Sequence, residues 1–175
     1  MISQTVRKFT FAAAAAFLMT ASIQAGSIGS LGWTQVAPLG GHFTVAMPGA
    51  AQHTTTPINT NGQFVTTMHT YMMDATNCSY SVMYGDIASA SSNPGSMLEA
   101  VRNGNARGGR VLDDKDFTID GYPGKAVTIE KDGMMVYNRI VIVGDRVFQV
   151  MFAMNKSDEI PASANTFIKS FRLTN

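Results

Sequence analysis

The amino-acid sequence predicts an α+β fold: an α/β/α sandwich around a mostly antiparallel sheet built of adjacent hairpins. Short alternating apolar runs joined by turn residues predict the hairpins. Two stretches with helical periodicity predict the outer layers. The run Arg146–Met154 is apolar on both faces, whereas a sheet with one wet face alternates cleanly. We therefore expect both faces of the sheet to be covered, with the two helices as the available cover.

The N-terminal segment 1–25 has the order typical of a cleavable export signal. Arg7 and Lys8 precede an apolar run, Phe9–Met19, and small residues lead to a cut after Ala25. The apolar run is about 11 residues, well short of the ~20 that a spanning helix needs. We therefore expect a periplasmic or secreted protein, with no integral membrane segment after the signal is removed.

The remaining chain predicts one domain. Residues 26–32 (GSIGSLG) form a flexible lead-in, and 33–175 contain no repeat or second linker. The formal net charge of +1 becomes slightly negative when the signal is removed, so the domain has no basic stripe for nucleic acid. Cys78 is the single cysteine, so an intramolecular disulfide is impossible, and we expect it to pack as a small apolar group.

Strand signals dominate the domain. Turn residues bound or join the runs, with Pro48-Gly49, Asn61-Gly62, Asp132-Gly133 and Gly144-Asp145 the clearest turns. The predicted strands are His42–Met47, Ala51–Asn59, Gln63–Met73, Cys78–Tyr84, Lys125–Glu130, Met134–Val143 and Arg146–Met154.

Two stretches predict helices. In Ser96–Arg107, Ser96 is the expected N-cap, because Glu99 follows three residues later as in a capping box. The second helix, Pro161–Ser170, begins with proline near the first helical position.

Four phrases occur in an order that resembles a known group. They are His42–Gly49 (HFTVAMPG), Ile119–Lys125 (IDGYPGK), Arg139–Val150 (RIVIVGDRVFQV) and Phe167–Leu173 (FIKSFRL). Together they resemble exported bacterial proteins of the PsbP-like superfamily, named for an extrinsic subunit of photosystem II, over about Trp33–Leu173. The resemblance implies the same sandwich and a non-catalytic role of docking onto larger assemblies. It supplies no catalytic motif.

The common enzyme motifs are absent. The sequence contains no G-x-S-x-G, H-E-x-x-H, G-x-x-x-x-G-K-[ST] or G-x-G-x-x-G. The three histidines, His42, His53 and His69, leave few bases for a triad, although a Cys78–histidine pair stays open as an alternative enzyme hypothesis. We therefore expect no enzyme, no catalytic residue and no cofactor.

Two sets of residues suggest metal binding. The first set is acidic and comprises Asp113, Asp114, Asp116 and Asp120. A loop starting at Asp114 fails as an EF-hand, because Ile119 and Lys125 stand where glycine and glutamate are required. This favours a solvated connection that leads into a strand around Phe117. The second set consists of soft ligands. Pairing through Asn61-Gly62 places His53 opposite Thr70 on a methionine-bearing face, and pairing through the next turn, 74–77, places Met68 opposite Met83. This alternative predicts a periplasmic copper-binding protein with the ligands His53, Met68, Met72 and Met83. The simpler interpretation is that these methionines fill space in the core.

The sequence as a whole favours an exported non-enzymatic binding or accessory protein of the cell envelope, with a protein partner. We expect an exposed aromatic patch near Trp33, Tyr71, Tyr80 or Tyr122 as the contact surface. Trp33 itself is more typical of a core anchor for an N-terminal strand.

Overall fold

The computed structural model describes residues 32–60, 63–88 and 90–174. The predicted signal peptide, nearly all of the lead-in and the Asn61-Gly62 turn lie outside these residues. Within the described ranges, no helix combines the length and apolar character needed to cross a bilayer.

The described residues form ten strands, two helices and one short 3-10 turn. The strands are β1 Thr34–Val36, β2 Phe43–Met47, β3 Gln52–Thr60, β4 Gln63–Asp74, β5 Cys78–Asp86, β6 Arg110–Ile119, β7 Tyr122–Lys131, β8 Met134–Val143, β9 Arg146–Asn155 and β10 Arg172–Leu173. The helices are α1 Pro94–Asn105 and α2 Ala162–Ser170, and the 3-10 turn is Ala90–Ser92.

Seven strands form the main sheet in the order β3-β4-β5-β9-β8-β7-β6, and β1-β2-β10 form a small second sheet. Every pairing between the described strands is antiparallel. Asp132 and Gly133 both have positive φ, at 52° and 78°, as the tight turn between β7 and β8 requires. The predicted mostly antiparallel sheet of hairpins is therefore confirmed.

The core residues form two clusters, and each of them includes residues of one helix. On the first face of the main sheet, Phe43 of β2 and Phe167 of α2 pack with Tyr80 and Phe152 in the larger core cluster. On the second face, Leu98 of α1 packs over a smaller cluster on β8 and β9. Because α1 contacts chiefly β7 and β8, the complete α/β/α sandwich stays a prediction.

Both helices begin at caps that differ in detail from those expected. Asn93 caps α1, since its Oδ1 accepts a hydrogen bond from Ser96 N at 3.0 Å, and Pro94 occupies the first turn. The expected N-cap Ser96 is therefore wrong: proline fits the first helical position and leaves the preceding asparagine as the cap. Helix α2 begins one residue after Pro161, whose extended backbone forms the cap position.

The two outer strands of the sheet differ in charge. The acidic run, expected as a solvated connection before a strand around Phe117, lies mainly inside that strand, β6, whose sequence is RVLDDKDFTI and whose acidic residues are exposed. Charged side chains and a bulge between Val111 and Asp113 protect such an edge from pairing with other chains. The opposite edge, β3, has the sequence QHTTTPINT, which contains no Asp, Glu, Lys or Arg.

Candidate functional site

A one-residue bulge in the β3–β4 hairpin decides which side chains meet. Asn59 pairs with Phe64, but Ile58 pairs with Thr66, so Val65 has no partner in β3. His53 consequently lies opposite Tyr71, and the expected pairing with Thr70 is wrong. Because side chains alternate between faces, this single step moves His53 to the other face of the sheet. The predicted ligand set of His53 with Met68, Met72 and Met83 is therefore not brought together.

The methionines stay on one face despite a second change of register. Thr70, and not Met68, lies opposite Met83, which is a shift of two residues and preserves the face. Four half-buried methionines share this side of β4, β5 and β9 and belong to neither core cluster among the described residues. We call this surface the methionine face: Met68, Met72, Met83 and Met151.

His53 instead joins a column of parallel rings on the first face. Its ring stacks on Tyr71, with centroids 4.4 Å apart, and its Nε2 lies 3.3 Å from His69 Nδ1. The His69 ring stacks in turn on Tyr84, at 4.8 Å. The column therefore extends from the outer edge of the sheet towards β5, with one hydrogen bond between its two imidazoles.

An ion pair lies at the inner end of this column. Arg146 Nε and Nη2 donate to the two carboxylate oxygens of Asp86 at 2.6 and 2.8 Å. The guanidinium also lies over the Tyr84 ring, 5.2 Å from its centroid. The hydrogen bonds from Arg146 hold the pKa of Asp86 below its ordinary value, and the same contact raises the pKa of Arg146.

Arg146 also fixes the turn before β2. Its Nη1 donates to the carbonyl oxygens of Gly40 and Gly41 at 2.6 and 3.2 Å, and Gly41 N closes the turn onto Pro38 O at 2.9 Å. Leu39, at the tip of this turn, is 105% exposed. Leu39, His69, Tyr84, Asp86 and Arg146 line an open cleft of about 320 Å³, which we call the Leu39 cleft.

Cys78 lies far from His53 along the sheet. Its Sγ contacts Tyr80 Oη at 3.5 Å, and that hydroxyl is 2.8 Å from Ser163 Oγ. Burial is the main cause that raises the pKa of Tyr80 to about 12. Across the sheet, His53 lies opposite Tyr71 of β4, and Tyr71 lies opposite Val82 of β5. Val82 is four residues, or ~13 Å, from Cys78 along β5. A Cys78–His53 pair is therefore not formed.

Two residues of the acidic set, Asp114 and Asp116, surround a lysine together with Glu99, whereas Asp113 pairs with Lys115. Lys125 Nζ lies 2.8 Å from Asp116, 2.9 Å from Glu99 and 3.3 Å from Asp114. These hydrogen bonds, that to Asp116 first, raise the pKa of Lys125. Within the described ranges, no group of three or more His, Cys, Asp or Glu side chains could hold a metal ion. The cluster is an ion-pair network that ties α1 to β6 and β7.

The expected aromatic patch does not form as one surface. Trp33 is 46% and Tyr122 41% exposed, whereas Tyr80 is a core residue at 2%. Trp33 as a core anchor is wrong, because β1 is only three residues long and buries Val36 instead. No local pattern of the sequence indicates the Leu39 cleft, since the contact from Arg146 to Gly40 spans 106 positions of the chain.

No family model matches the chain, and no curated protein matches it in sequence. Among solved structures, cyanobacterial PsbP (CyanoP) from Synechocystis sp. PCC 6803 matches with a TM-score of 0.55 at 11% identity, over 86% of this chain and 97% of that one. A crystal structure of a protein of unknown function from Pseudomonas aeruginosa gives a TM-score of 0.42 at 14% identity, over 72% of this chain and 85% of that one. That second score is too low to establish a common fold. On the first match, this chain has a PsbP-like fold.

Proposed function

We propose that this chain is an exported, non-enzymatic accessory protein of the cell envelope, periplasmic or secreted, that binds a protein partner through the Leu39 cleft. The observation that carries the proposal is the full exposure of Leu39 on a turn held by Arg146. The transfer of an exposed leucine side chain from water into an apolar pocket is favourable by about 1.5–3 kcal/mol.

The turn is suited to such a contact because it is ordered before binding. Two hydrogen bonds from Arg146 and one from Gly41 N hold its backbone, so little conformational entropy is lost on association. The Asp86–Arg146 ion pair at the rim provides a charged boundary beside the apolar tip. Apolar centres with polar rims are typical of protein–protein contacts.

The sequence supports a binding role in two further ways. It contains none of the common catalytic motifs, and its resemblance to PsbP-like proteins implies docking onto larger assemblies. The copper-binding alternative loses His53 as a ligand, because the bulge at Val65 places the ring on the opposite face from the methionines.

The proposal is tested by native mass spectrometry of the protein, purified gently from the exported fraction of its own source. We compare the natural chain with Leu39→Ser and with the control Ile160→Ser, which removes another exposed apolar side chain, 57% exposed. We expect the mass of a second chain with the natural protein and the control, and its loss in Leu39→Ser. Retention of the partner by Leu39→Ser, or a bare chain in all three samples, would show that the proposal is wrong.

A further inference from the structure

Three members of the methionine face surround one serine. Met72 and Met151 lie directly opposite Ser81 on its two neighbouring strands, and Met83 follows Ser81 by two residues along β5. With strands ~4.8 Å apart and a rise of ~3.4 Å per residue, their Cα atoms lie about 5, 5 and 7 Å from that of Ser81. Flexible side chains at these distances can bring their sulfur atoms together above the serine.

The burial of Ser81 shows that its neighbours cover it. Ser81 is only 5% exposed, although α1 packs mainly on β7 and β8, at the other half of this face. Helix α1 reaches β9 at Gln149, to which Asn105 donates a hydrogen bond of 2.7 Å, and the side chains that flank Ser81 on the sheet contribute the rest of its cover. Three of those flanking residues are methionines, and each remains half-buried and reachable from solvent.

These methionines differ from the core methionines of the same chain. Met47, Met73 and Met154 are 0%, 6% and 2% exposed and belong to the main core cluster. Those residues fill space, as methionine commonly does. The members of the methionine face lie outside both clusters of the described residues, so filling the core does not explain them.

We propose that Met72, Met83 and Met151 bind one Cu(I) ion above Ser81. Thioether sulfur is a soft, neutral ligand, which selects a soft monovalent cation over harder divalent ions. This activity goes beyond the proposed accessory role and uses no residue of the Leu39 cleft. It also differs from the ligand set expected from sequence, because Met151 is included and His53 is excluded.

Met68 provides an internal control for this proposal. It lies on the same face and is also half-buried. Its Sδ packs over Gly85, 3.4 Å from the position that a Cβ of residue 85 would occupy. This contact holds the Met68 sulfur above the end of β5, away from Ser81, so Met68 is not a ligand in the proposed site.

The test uses Ag(I) as an air-stable probe for Cu(I), titrated into the exported chain carrying ¹³C-labelled methionine methyl groups. We expect one equivalent to shift the methyl signals of Met72, Met83 and Met151 and to leave that of Met68 in place. The same shifts are expected in Cys78→Ser, which removes the only thiol. Leucine at position 72, 83 or 151 weakens Ag(I) binding at least about tenfold, whereas Met68→Leu binds as the natural chain does.

Leucine keeps the apolar volume of methionine, so these variants separate metal binding from apolar docking. Equal Ag(I) affinity in Met83→Leu and the natural chain would overturn the proposal, and the methionine face would then be only an apolar surface. Shifts confined to other methionines, or lost in Cys78→Ser, would overturn it as well. The methyl spectrum of the natural chain decides the question even if a variant fails to fold. Loss of the protein partner in Leu39→Ser is a separate result and leaves the copper site unaffected.

Discussion

Asp86 and Arg146 are directly opposed on β5 and β9, and their side chains form a two-point ion pair at 2.6 and 2.8 Å. The same guanidinium holds the carbonyl oxygens of Gly40 and Gly41. One arginine therefore connects the end of the central strand pair, β5 and β9, to the turn that presents Leu39. The stability of the sheet and the shape of the proposed contact surface are coupled through this residue.

We expect Asp86→Asn to lower the free energy of unfolding at neutral pH by at most about 1 kcal/mol, because the carboxylate is 62% exposed and solvent screens the pair. The pKa of Asp86 is lowered in the folded protein, so its contribution is present above the ordinary aspartate pKa and is lost as pH falls through the folded value. Urea unfolding at pH 7 and pH 3 should show the difference between variant and natural chain shrink at the lower pH. The control is Asp113→Asn, whose partner Lys115 is 71% exposed. If this change lowered the free energy of unfolding as much as Asp86→Asn at both pH values, the effect could not be assigned to the Asp86–Arg146 pair.

Lys125→Met should destabilise the protein by about 1–3 kcal/mol, because it leaves three carboxylates facing each other without their shared cation. Chemical denaturation at neutral pH measures the effect. Lys115→Met, which removes an exposed lysine from the neighbouring strand, is the matched control and should change stability by no more than about 0.5 kcal/mol. Equal effects of the two changes would show that the network around Lys125 does not stabilise the fold.

Tyr80→Phe should change the way in which the stability of the protein depends on alkaline pH. The pKa of Tyr80 is raised in the folded protein from 10.0 to about 12, so its contribution is fully present below pH 10.0 and is lost as pH rises through about 12. The natural chain should therefore lose stability over this interval more steeply than the variant does. Identical unfolding curves at pH 9 and above, measured in urea, would show that the Tyr80 hydroxyl is not protected by the fold.

Gly124→Ala should destabilise the protein by about 1–3 kcal/mol, through overpacking. A Cβ at this position would lie 2.5 Å from Phe117 Cζ and 2.9 Å from the carbonyl oxygen of Ile140, so either the ring or the backbone must move. Gly95→Ala is the control, because its Cβ would meet nothing closer than 3.9 Å and alanine favours a helix. In thermal melts, the Tm of Gly124→Ala should fall, whereas the Tm of Gly95→Ala should rise or stay unchanged.

Hairpin strands and turns could be predicted from local sequence, because residues such as Asp132-Gly133 fix the turn geometry wherever they occur. Register could not. The bulge at Val65 carries no glycine or other local signal, yet it reverses the face of His53. A strand around Phe117 could be predicted, but the N-terminal half of β6 could not, because its charged residues look like solvated chain. In the structure they occupy a sheet edge, and two of them, Asp114 and Asp116, pair with Lys125.

The candidate site was the least predictable part. Leu39 is an ordinary leucine before a glycine pair in sequence, and nothing nearby indicates that an arginine 106 positions away holds its turn. The methionine face was partly predictable, since Met72 and Met83 keep their face through an even shift of register. The position of Met151 beside Ser81 could not be predicted from local sequence, because it depends on the order of strands in the sheet.

The unlike edges of the main sheet limit how copies of this chain can associate. Extension by hydrogen bonding requires an accessible strand. Of the two described edges of the main sheet, β3 contains no Asp, Glu, Lys or Arg, while β6 presents Asp113, Lys115 and Asp116. Two copies joined β3 to β3 about a two-fold axis would expose only β6 edges, so growth would stop at a pair. The growth of a fibre would require β3 of one copy to pair with β6 of the next. The charge on one strand thus protects the protein from open-ended polymerisation.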